Sequence, residues 1–366
     1  MVAKNELTRR ITNTQNSLNN IDNSILLLTP GPNLRYLTEY KAKNLERLTC
    51  LAISKDRKPL LVVPELEKLA ALGAGIDENI FDLVTWKEGG NPYDLFTNFE
   101  IENVFIDEKM TADKVLAFQN IFNKSNFINA TKIMTTLRSV KSDYEIEELI
   151  NVGKMIDLVH EEMLKIIKPG MTEIEVSKKI GNKILEVGHE TVDFVIVASG
   201  KNSASPHHEP SNKIIETGDV VVVDIGGTSY SGYCSDSTRT YTIGKPDKDF
   251  IKYYEILKSA QESACLAVKK DLSGQQLDNV AREILENNGL GKYFTHRTGH
   301  GIGLETHEEP YVVSTNKNQL VSGNAFSIEP GFYIENRFGA RIEDIIVKKE
   351  NGFIRCNDSS RELVEI

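Results

Sequence analysis

No apolar run in this chain approaches the ~20 residues that a membrane-spanning helix requires. Runs such as Ile25-Leu26-Leu27-Leu28 and Val220-Val221-Val222-Val223 hold four residues each, so no membrane span is expected. The N-terminal Met1-Val2-Ala3-Lys4-Asn5-Glu6 has no apolar segment behind its first lysine, which removes the case for a secretory signal and makes the cytoplasm the default location. Cysteine is scarce: the four residues at 50, 234, 265 and 356 show neither C-x-x-C pairing nor a disulfide framework spacing. They read as reduced packing residues, and zinc-thiolate chemistry is not expected. Positive charge is also in deficit. With 43 Lys and Arg against 53 Asp and Glu the net charge is -10, so the chain repels phosphate backbones and anionic membrane surfaces, and nucleic acid is not an expected partner. Gly 25 and Pro 11 are ordinary contents that exclude collagen-like and disordered classes.

What is present is a chain of 366 residues with 40% apolar and 26% charged side chains, enough for about two domains. The first part alternates short apolar strands with helical stretches. Ile25 to Leu28 ends in Thr29-Pro30-Gly31-Pro32; Cys50 to Ile53 and Leu60 to Val63 flank a polar turn; Val104 to Asp107 and Phe127 to Asn129 bracket a helix over Thr111 to Phe122. This predicts a mixed α/β domain over 1-138. The polar Ser139 to Asp143 stretch then caps an amphipathic helix from Tyr144, opening a second domain over 139-366. Within it, Pro169 to Thr172 and Leu272 to Gly274 each lead into a helix ending Ile-Leu-Glu, one hundred residues apart. A duplicated half-domain would produce that pattern, as would chance.

Five of the seven histidines, His207, His208, His296, His300 and His307, fall between positions 207 and 307. Imidazoles gather where metals or proton transfer are wanted. Asp219 to Gly227 reads as a buried strand carrying Asp224 toward its end, and Asp236 stands twelve positions on in a Tyr- and Thr-rich strand. A hairpin would bring the two acids together. Taken alone, Asp224 reads as a surface acid at the turn and Glu329, before Pro330-Gly331, as a solvated turn acid. His300 lies among glycines in Thr298-Gly299-His300-Gly301-Ile302-Gly303 without a phosphate-loop pattern; close backbone approach to a ligand or metal is the expected use of those glycines. Arg341 to Val347 reads as one strand with Arg341, Glu343 and Ile345 on one side. Together, two Asp, one His and two Glu form a hard-oxygen ligand set. Four carboxylates balance two divalent cations, which would leave a bridging hydroxide as nucleophile. Mn²⁺, Co²⁺, Fe²⁺ or Zn²⁺ suits one imidazole among carboxylates better than Ca²⁺.

The order Asp224, Asp236, His300, Glu329, Glu343, with the segment His296 to Glu308, resembles the pita-bread metallopeptidases (M24) and their proline-specific branch, the Xaa-Pro aminopeptidases and prolidases. The resemblance implies an α+β fold, a C-terminal pita-bread domain preceded by a smaller α/β creatinase-type N-terminal domain. It implies that Asp236 and Glu343 bridge two metals, Mn²⁺ or Co²⁺ foremost, that Asp224 completes one, and that His300 and Glu329 complete the other. By the same matching, Glu329 handles the proton of the bridging water, His207 contacts substrate and assists proton transfer, and His307 stabilises the tetrahedral oxyanion. His296 lines the substrate pocket, and Arg341 orients the last carboxylate. His208 has no counterpart and reads as a solvated loop residue.

Two departures stand out. The Asp224 to Asp236 spacing is one residue longer than the common form, to be absorbed in the turn or in a bulge. Tyr311 stands where some archaeal prolidases carry an arginine for the substrate carboxylate, which weakens a strict dipeptidase reading. The implied activity is removal of the first residue from small peptides with proline second, by a homodimer; a Xaa-Pro dipeptidase is the alternative. Methionine aminopeptidase activity and a metal-free peptide-binding module are more distant readings, since the large N-terminal domain, Arg341 and the complete ligand set all argue against them.

Overall fold

Short strands rich in Leu, Val and Ile, separated by polar turns, build the first unit of the chain, Met1–Arg138. The structure is a computed structural model and describes residues 4–19 and 21–366. Six strands, β1 (Ser24–Leu28), β2 (Cys50–Ile53), β3 (Leu60–Pro64), β4 (Asp82–Trp86), β5 (Asn103–Ile106) and β6 (Asn126–Asn129), form one sheet in the order β4-β3-β2-β1-β5-β6. The β1-β2 and β2-β3 pairs are antiparallel and the others parallel. Five helices accompany them: α1 (Lys4–Ser17), α2 (Pro32–Thr38), α3 (Lys68–Gly73), α4 (Ala112–Ile121) and α5 (Thr131–Ser139). Helix α4 occupies the stretch expected to be helical, and its Phe118 packs with Ile25, Leu27, Cys50, Val62 and Val104 of the sheet.

The second unit, Ser139–Ile366, opens with α6 (Asp143–Glu161), followed by α7 (Met163–Ile166), α8 (Glu173–Glu186), β7 (His189–Ser199), β8 (Val220–Ser229) and β9 (Cys234–Thr242). Ser142 begins α6 with a reciprocal capping box to Glu145. The two segments with matching Ile-Leu-Glu ends are α8 and α10 (Gly274–Asn287), and each starts with the same device, Thr172 with Glu175 and Ser273 with Gln276. Helix α9 (Lys248–Ala267) precedes α10. The remaining strands are β10 (Gly299–Gly301), β11 (Glu308–Val312), β12 (Ala325–Ile328), β13 (Gly331–Ile334), β14 (Phe338–Arg341), β15 (Asp344–Lys349), β16 (Gly352–Arg355) and β17 (Val364–Glu365). They form sheets ordered β17-β9-β8-β7 and β11-β10-β12-β15-β16, with β13-β14 a separate hairpin.

Side-chain alternation explains which face of the first sheet is available for chemistry. Val221, Val223 and Ile225 of β8 pack with Ile156, Val159, Val176, Ile180 and Ile184 from α6 and α8. The intervening residues, including Asp224, therefore face away from those helices. Behind the second sheet, Leu257 and Ala264 of α9 and Leu277, Ala281 and Leu285 of α10 join Phe326, Ile328 and Ile346 in one buried cluster. Both sheets are thus backed by helices, which leaves their other faces for polar side chains.

The stretch expected as a single strand from Arg341 to Val347 is instead divided. Strand β14 ends at Arg341 and β15 begins at Asp344. Between them the Glu343 backbone N–H donates to the Thr238 carbonyl of β9 at 3.1 Å, so the chain leaves the hairpin, touches the first sheet and then enters the second. The break in the strand before Asp344 accompanies this handover, which simple alternation along one strand does not contain.

Gly153, in the middle of α6, gives a test of this packing. A Cβ added there would lie 2.2 Å from the Cys356 carbonyl oxygen. Glycine to alanine inside a helix ordinarily stabilises by about 1 kcal/mol; here Gly153→Ala should instead destabilise by about 1–3 kcal/mol, read as a lower thermal midpoint by circular dichroism.

Candidate active site

Strands β8 and β9 place the first two acids. Their register sets Asp224 opposite Thr238 and Gly226 opposite Asp236, so the two carboxylates are diagonal neighbours on one face. The ladder runs without a shift from Val220↔Thr242 to Thr228↔Cys234. The spacing between the two acids is therefore closed by the turn, where Gly232 adopts φ 96°, with no bulge in the ladder. Gly226 matters for the same face: a Cβ there would fall 2.4 Å from the Phe194 ring.

His300 is the central residue of β10, and the glycines around it serve a different purpose from the one expected. An added Cβ at Gly299 would meet the Ser327 carbonyl at 1.9 Å, and one at Gly301 would meet the Glu309 backbone at 2.4 Å. The glycines let β10 lie tightly against its neighbours and so position the imidazole; they are not kept bare for a ligand. Burial pulls the His300 pKa down to about 3, so the ring is neutral. Its Nδ1–H donates to the Gly301 carbonyl at 3.1 Å, which leaves the Nε2 lone pair facing the acids. From Nε2, the Glu329 Oε1 atom is 3.2 Å away, Asp236 Oδ2 3.6 Å and Glu343 Oε1 4.0 Å.

All five side chains singled out in the sequence thus meet. His300, Glu329 and Glu343 form one group, and Asp224, Asp236 and Glu343 another, with the ligand-type atoms of each within 4.8 Å of one another. Glu343 belongs to both, an arrangement suited to two adjacent cations. His307 also comes within this distance of Asp236 and His300. The donor set fits divalent metal on direct evidence: Asp224 Oδ1 and Glu343 Oε1 are buried oxygens with no hydrogen-bond partner. Burial, then the fields of the neighbouring acids, pushes the pKa values of Asp236 and Glu343 well up. Burial likewise lifts Glu329 to about 7, against the pull of Arg341. Without a counter-charge these acids retain protons; divalent cations would remove that penalty.

Arg341 holds the cluster from behind. Its guanidinium donates to Asp224 Oδ2, to Thr238 Oγ1 at 3.1 Å and to the Tyr333 hydroxyl oxygen at 2.6 Å. Thr238 in turn donates to Glu343 Oε2 at 2.7 Å. Arg341 therefore pairs directly with Asp224 and reaches Glu343, the last acid, only through Thr238. The Tyr333 hydroxyl meets His296 Nε2 at 3.0 Å. A continuous path of contacts thus runs from His296 through Tyr333 and Arg341 to Asp224. Burial depresses the His296 pKa to about 3, so this ring accepts the tyrosine proton while its Nδ1–H donates to the Arg297 carbonyl at 2.7 Å.

A cavity of about 580 Å³ opens over these residues, lined also by His207, His307, Phe194, Ile196, Pro206, Arg297 and Thr306. All four histidines expected at the site, His207, His296, His300 and His307, border it. His208 is not a solvated loop residue. Its Nε2 lies 2.8 Å from Glu173 Oε2, a carboxylate with no exposed side-chain surface. Glu173, the first residue of α8, also accepts from the Ser199 and Ser211 backbone N–H groups and hydroxyls and from the Asn202 amide. Burial raises its pKa, but the bonds from His208, Ser211 and Ser199 outweigh that and hold it low. This knot ties down the segment that carries His207. Sequence reasoning missed Glu173, Tyr333, Thr238 and Arg297; of the two first-turn acids of α8, only Glu175 carries the capping signature.

The chain matches the model of metallopeptidase family M24 over residues 147–350 and that of the creatinase/prolidase N-terminal domain over residues 10–140. It is 41% identical over 344 residues to a probable dipeptidase PepE of Mycobacterium tuberculosis, covering 93% of this chain and 92% of that one. Among solved structures, dipeptidase PepE from Mycobacterium ulcerans superposes with a TM-score of 0.93 at 40% identity, covering 100% of this chain and 99% of the other. A recombinant prolidase from Thermococcus sibiricus gives 0.91 at 35% identity, covering 98% and 99%.

Two outcomes follow from this geometry. In metal-free protein, Glu329 binds its proton more tightly folded than unfolded, so its contribution is fully present below pH 4.5 and is lost as pH rises toward about 7. Glu329→Gln should match the parent in thermal midpoint near pH 4.5 and exceed it at pH 8, a comparison that cancels the titration of the histidines; equal midpoints throughout would show that the acid is not strained. Glu173→Gln, which places a donor among donors, should destabilise by about 2 kcal/mol and expose residues 199–211 to limited proteolysis, read by mass spectrometry.

Proposed function

Starting from a chain that belongs to metallopeptidase family M24, we propose that it hydrolyses the Xaa-Pro bond at the N-terminus of very short peptides, acting as a Xaa-Pro dipeptidase. The observation that carries this reading is the convergence of Asp224, Asp236, His300, Glu329 and Glu343 at a cavity of about 580 Å³ bordered by His207, His296 and His307. The dipeptidase and prolidase names of its relatives support the dipeptide preference, the alternative weighed against aminopeptidase action in the sequence. The five side chains would hold two divalent cations, Mn²⁺ or Co²⁺ foremost. Those ions would polarise the scissile carbonyl and acidify a water molecule.

The chain's own groups supply the rest. Glu329 takes a proton from the attacking water at its carboxylate and delivers it to the departing proline nitrogen. That nitrogen belongs to a tertiary amide without an N–H, so protonation on leaving is the demanding step, and Glu329 supplies the proton for it. His307, beside His300 with ring centroids 4.1 Å apart, donates a hydrogen bond to the oxyanion. His207 contacts the substrate from its tied loop and assists proton movement. Tyr333 fixes the His296 ring against the pocket wall. Arg341 and Thr238 keep Asp224 and Glu343 aimed, so that little reorganisation accompanies the reaction.

Hydrolysis of Ala-Pro and Ala-Pro-Ala should be compared on protein reloaded with Mn²⁺ or Co²⁺. The dipeptide should be turned over at least roughly tenfold more efficiently in kcat/KM, a difference of about 1.4 kcal/mol. Preferential cleavage of the tripeptide would favour the aminopeptidase version, and cleavage of neither would remove the Xaa-Pro assignment.

A further inference from the structure

Arg297 has no role in the mechanism above, yet its side chain borders the substrate cavity. It lies just before β10, where the backbone is held on both sides. Arg282 of α10 donates to the His296 carbonyl at 2.9 Å, and the Thr298 N–H donates to Asp278 Oδ1 at 3.0 Å and to the Val312 carbonyl of β11 at 3.1 Å. The last bond sets Arg297 beside the neighbouring β11 residue, Tyr311. The guanidinium stacks over the Tyr311 ring with its carbon 4.7 Å from the centroid, and no carboxylate among the described residues forms an ion pair with it. The Tyr311 backbone is itself fixed: its carbonyl accepts from Asn316 Nδ2 at 2.7 Å and its N–H donates to Glu309 Oε2 at 3.0 Å.

A cation in a catalytic cavity that forms no ion pair among the described residues invites an anionic ligand. The stacking leaves the fork of N–H donors free, because the aromatic face engages the π surface of the guanidinium and not its edges. A fully extended dipeptide spans only roughly 7 Å, and the charge of Arg297 is felt at Glu329, His300 and His307. A carboxylate one residue beyond the scissile bond is therefore a fitting partner.

We infer that Arg297, braced flat on Tyr311, receives the C-terminal carboxylate of the dipeptide substrate and so selects dipeptides over longer peptides. This rests on the reading of the chain as a Xaa-Pro peptidase and supplies the cation which that reading requires. Tyr311 then supports the anchor: the tyrosine that, in the sequence, counted against a dipeptidase is the platform for an arginine fourteen residues earlier. A rigid backbone and a stacked side chain reduce the ordering cost of binding.

The experiment compares Ala-Pro with its C-terminal amide, which presents the same scissile bond without the charge, on metal-loaded wild type, Arg297→Gln and Arg297→Lys. Wild type should prefer the acid. Arg297→Gln should lose roughly 30-fold or more on Ala-Pro, mainly in KM, while changing less than threefold on the amide. Arg297→Lys, keeping the charge but not the flat fork, should fall between. Thermal midpoints within a few degrees of wild type would exclude misfolding as the cause. Unchanged Ala-Pro kinetics in Arg297→Gln, or equal losses on acid and amide, would overturn the inference while leaving the proposed function standing. A wild type that cleaves neither compound would overturn that function and the inference with it.

Discussion

Three buried carboxylates and a fourth that is mostly buried repel one another beside one neutral imidazole, and the architecture of the second unit answers that repulsion. Asp224, Asp236, His300 and Glu343 have almost no exposed surface. Charges are placed in such surroundings only when paired or bound to metal. Three of the acids have raised pKa values for this reason, and two of their oxygens have no hydrogen-bond partner. A site under this stress keeps its geometry only if every ligand comes from a rigid element. The two aspartates come from one unbroken ladder, His300 from a strand squeezed between neighbours, and Glu343 from the point where the chain passes between two sheets. The same stress that would destabilise the empty site becomes affinity for divalent cations.

Around that centre, a set of fixed polar contacts carries order outward. Arg341 touches Asp224, Thr238 and Tyr333, and Tyr333 reaches His296. Glu173 performs the matching task for the loop with His207, a carboxylate at a helix start that receives bonds from four side chains and two backbone N–H groups. Such networks are effective in a region of low dielectric, where each hydrogen bond is strengthened and a missing partner is expensive. The cavity wall thus has two kinds of polar residue. Those tied into networks aim the reacting groups, whereas Arg297, stacked on Tyr311 and without an ion pair among the described residues, is the one inferred to meet the ligand.

The strands near residues 25, 50, 60 and 104, the start of α6 and the caps of α8 and α10 were legible because apolar patterning and capping chemistry are local. The five acid and imidazole positions were legible because their residue types and order are unusual and resemble a known constellation. Other features escaped for physical reasons. The division of the Arg341 to Val347 stretch depends on a hydrogen bond to Thr238, more than a hundred positions earlier. The environment of His208 depends on Glu173, which looks like any first-turn acid. Tyr311 was weighed by its own chemistry, since nothing local reveals an arginine stacked on it.

Composition, charge and spacing by themselves pointed to a two-part chain of mixed helix and sheet, with Asp224, Asp236, His300, Glu329 and Glu343 as candidate metal ligands. They could do so because residue type and order record chemistry directly. Only the tertiary structure decided the partners: Arg341 with Asp224, Glu173 with His208, His296 with Tyr333, and Arg297 with Tyr311. Contacts across a fold are made by side chains that strand register and helix packing bring together, and neither leaves a periodic trace in the sequence around each residue.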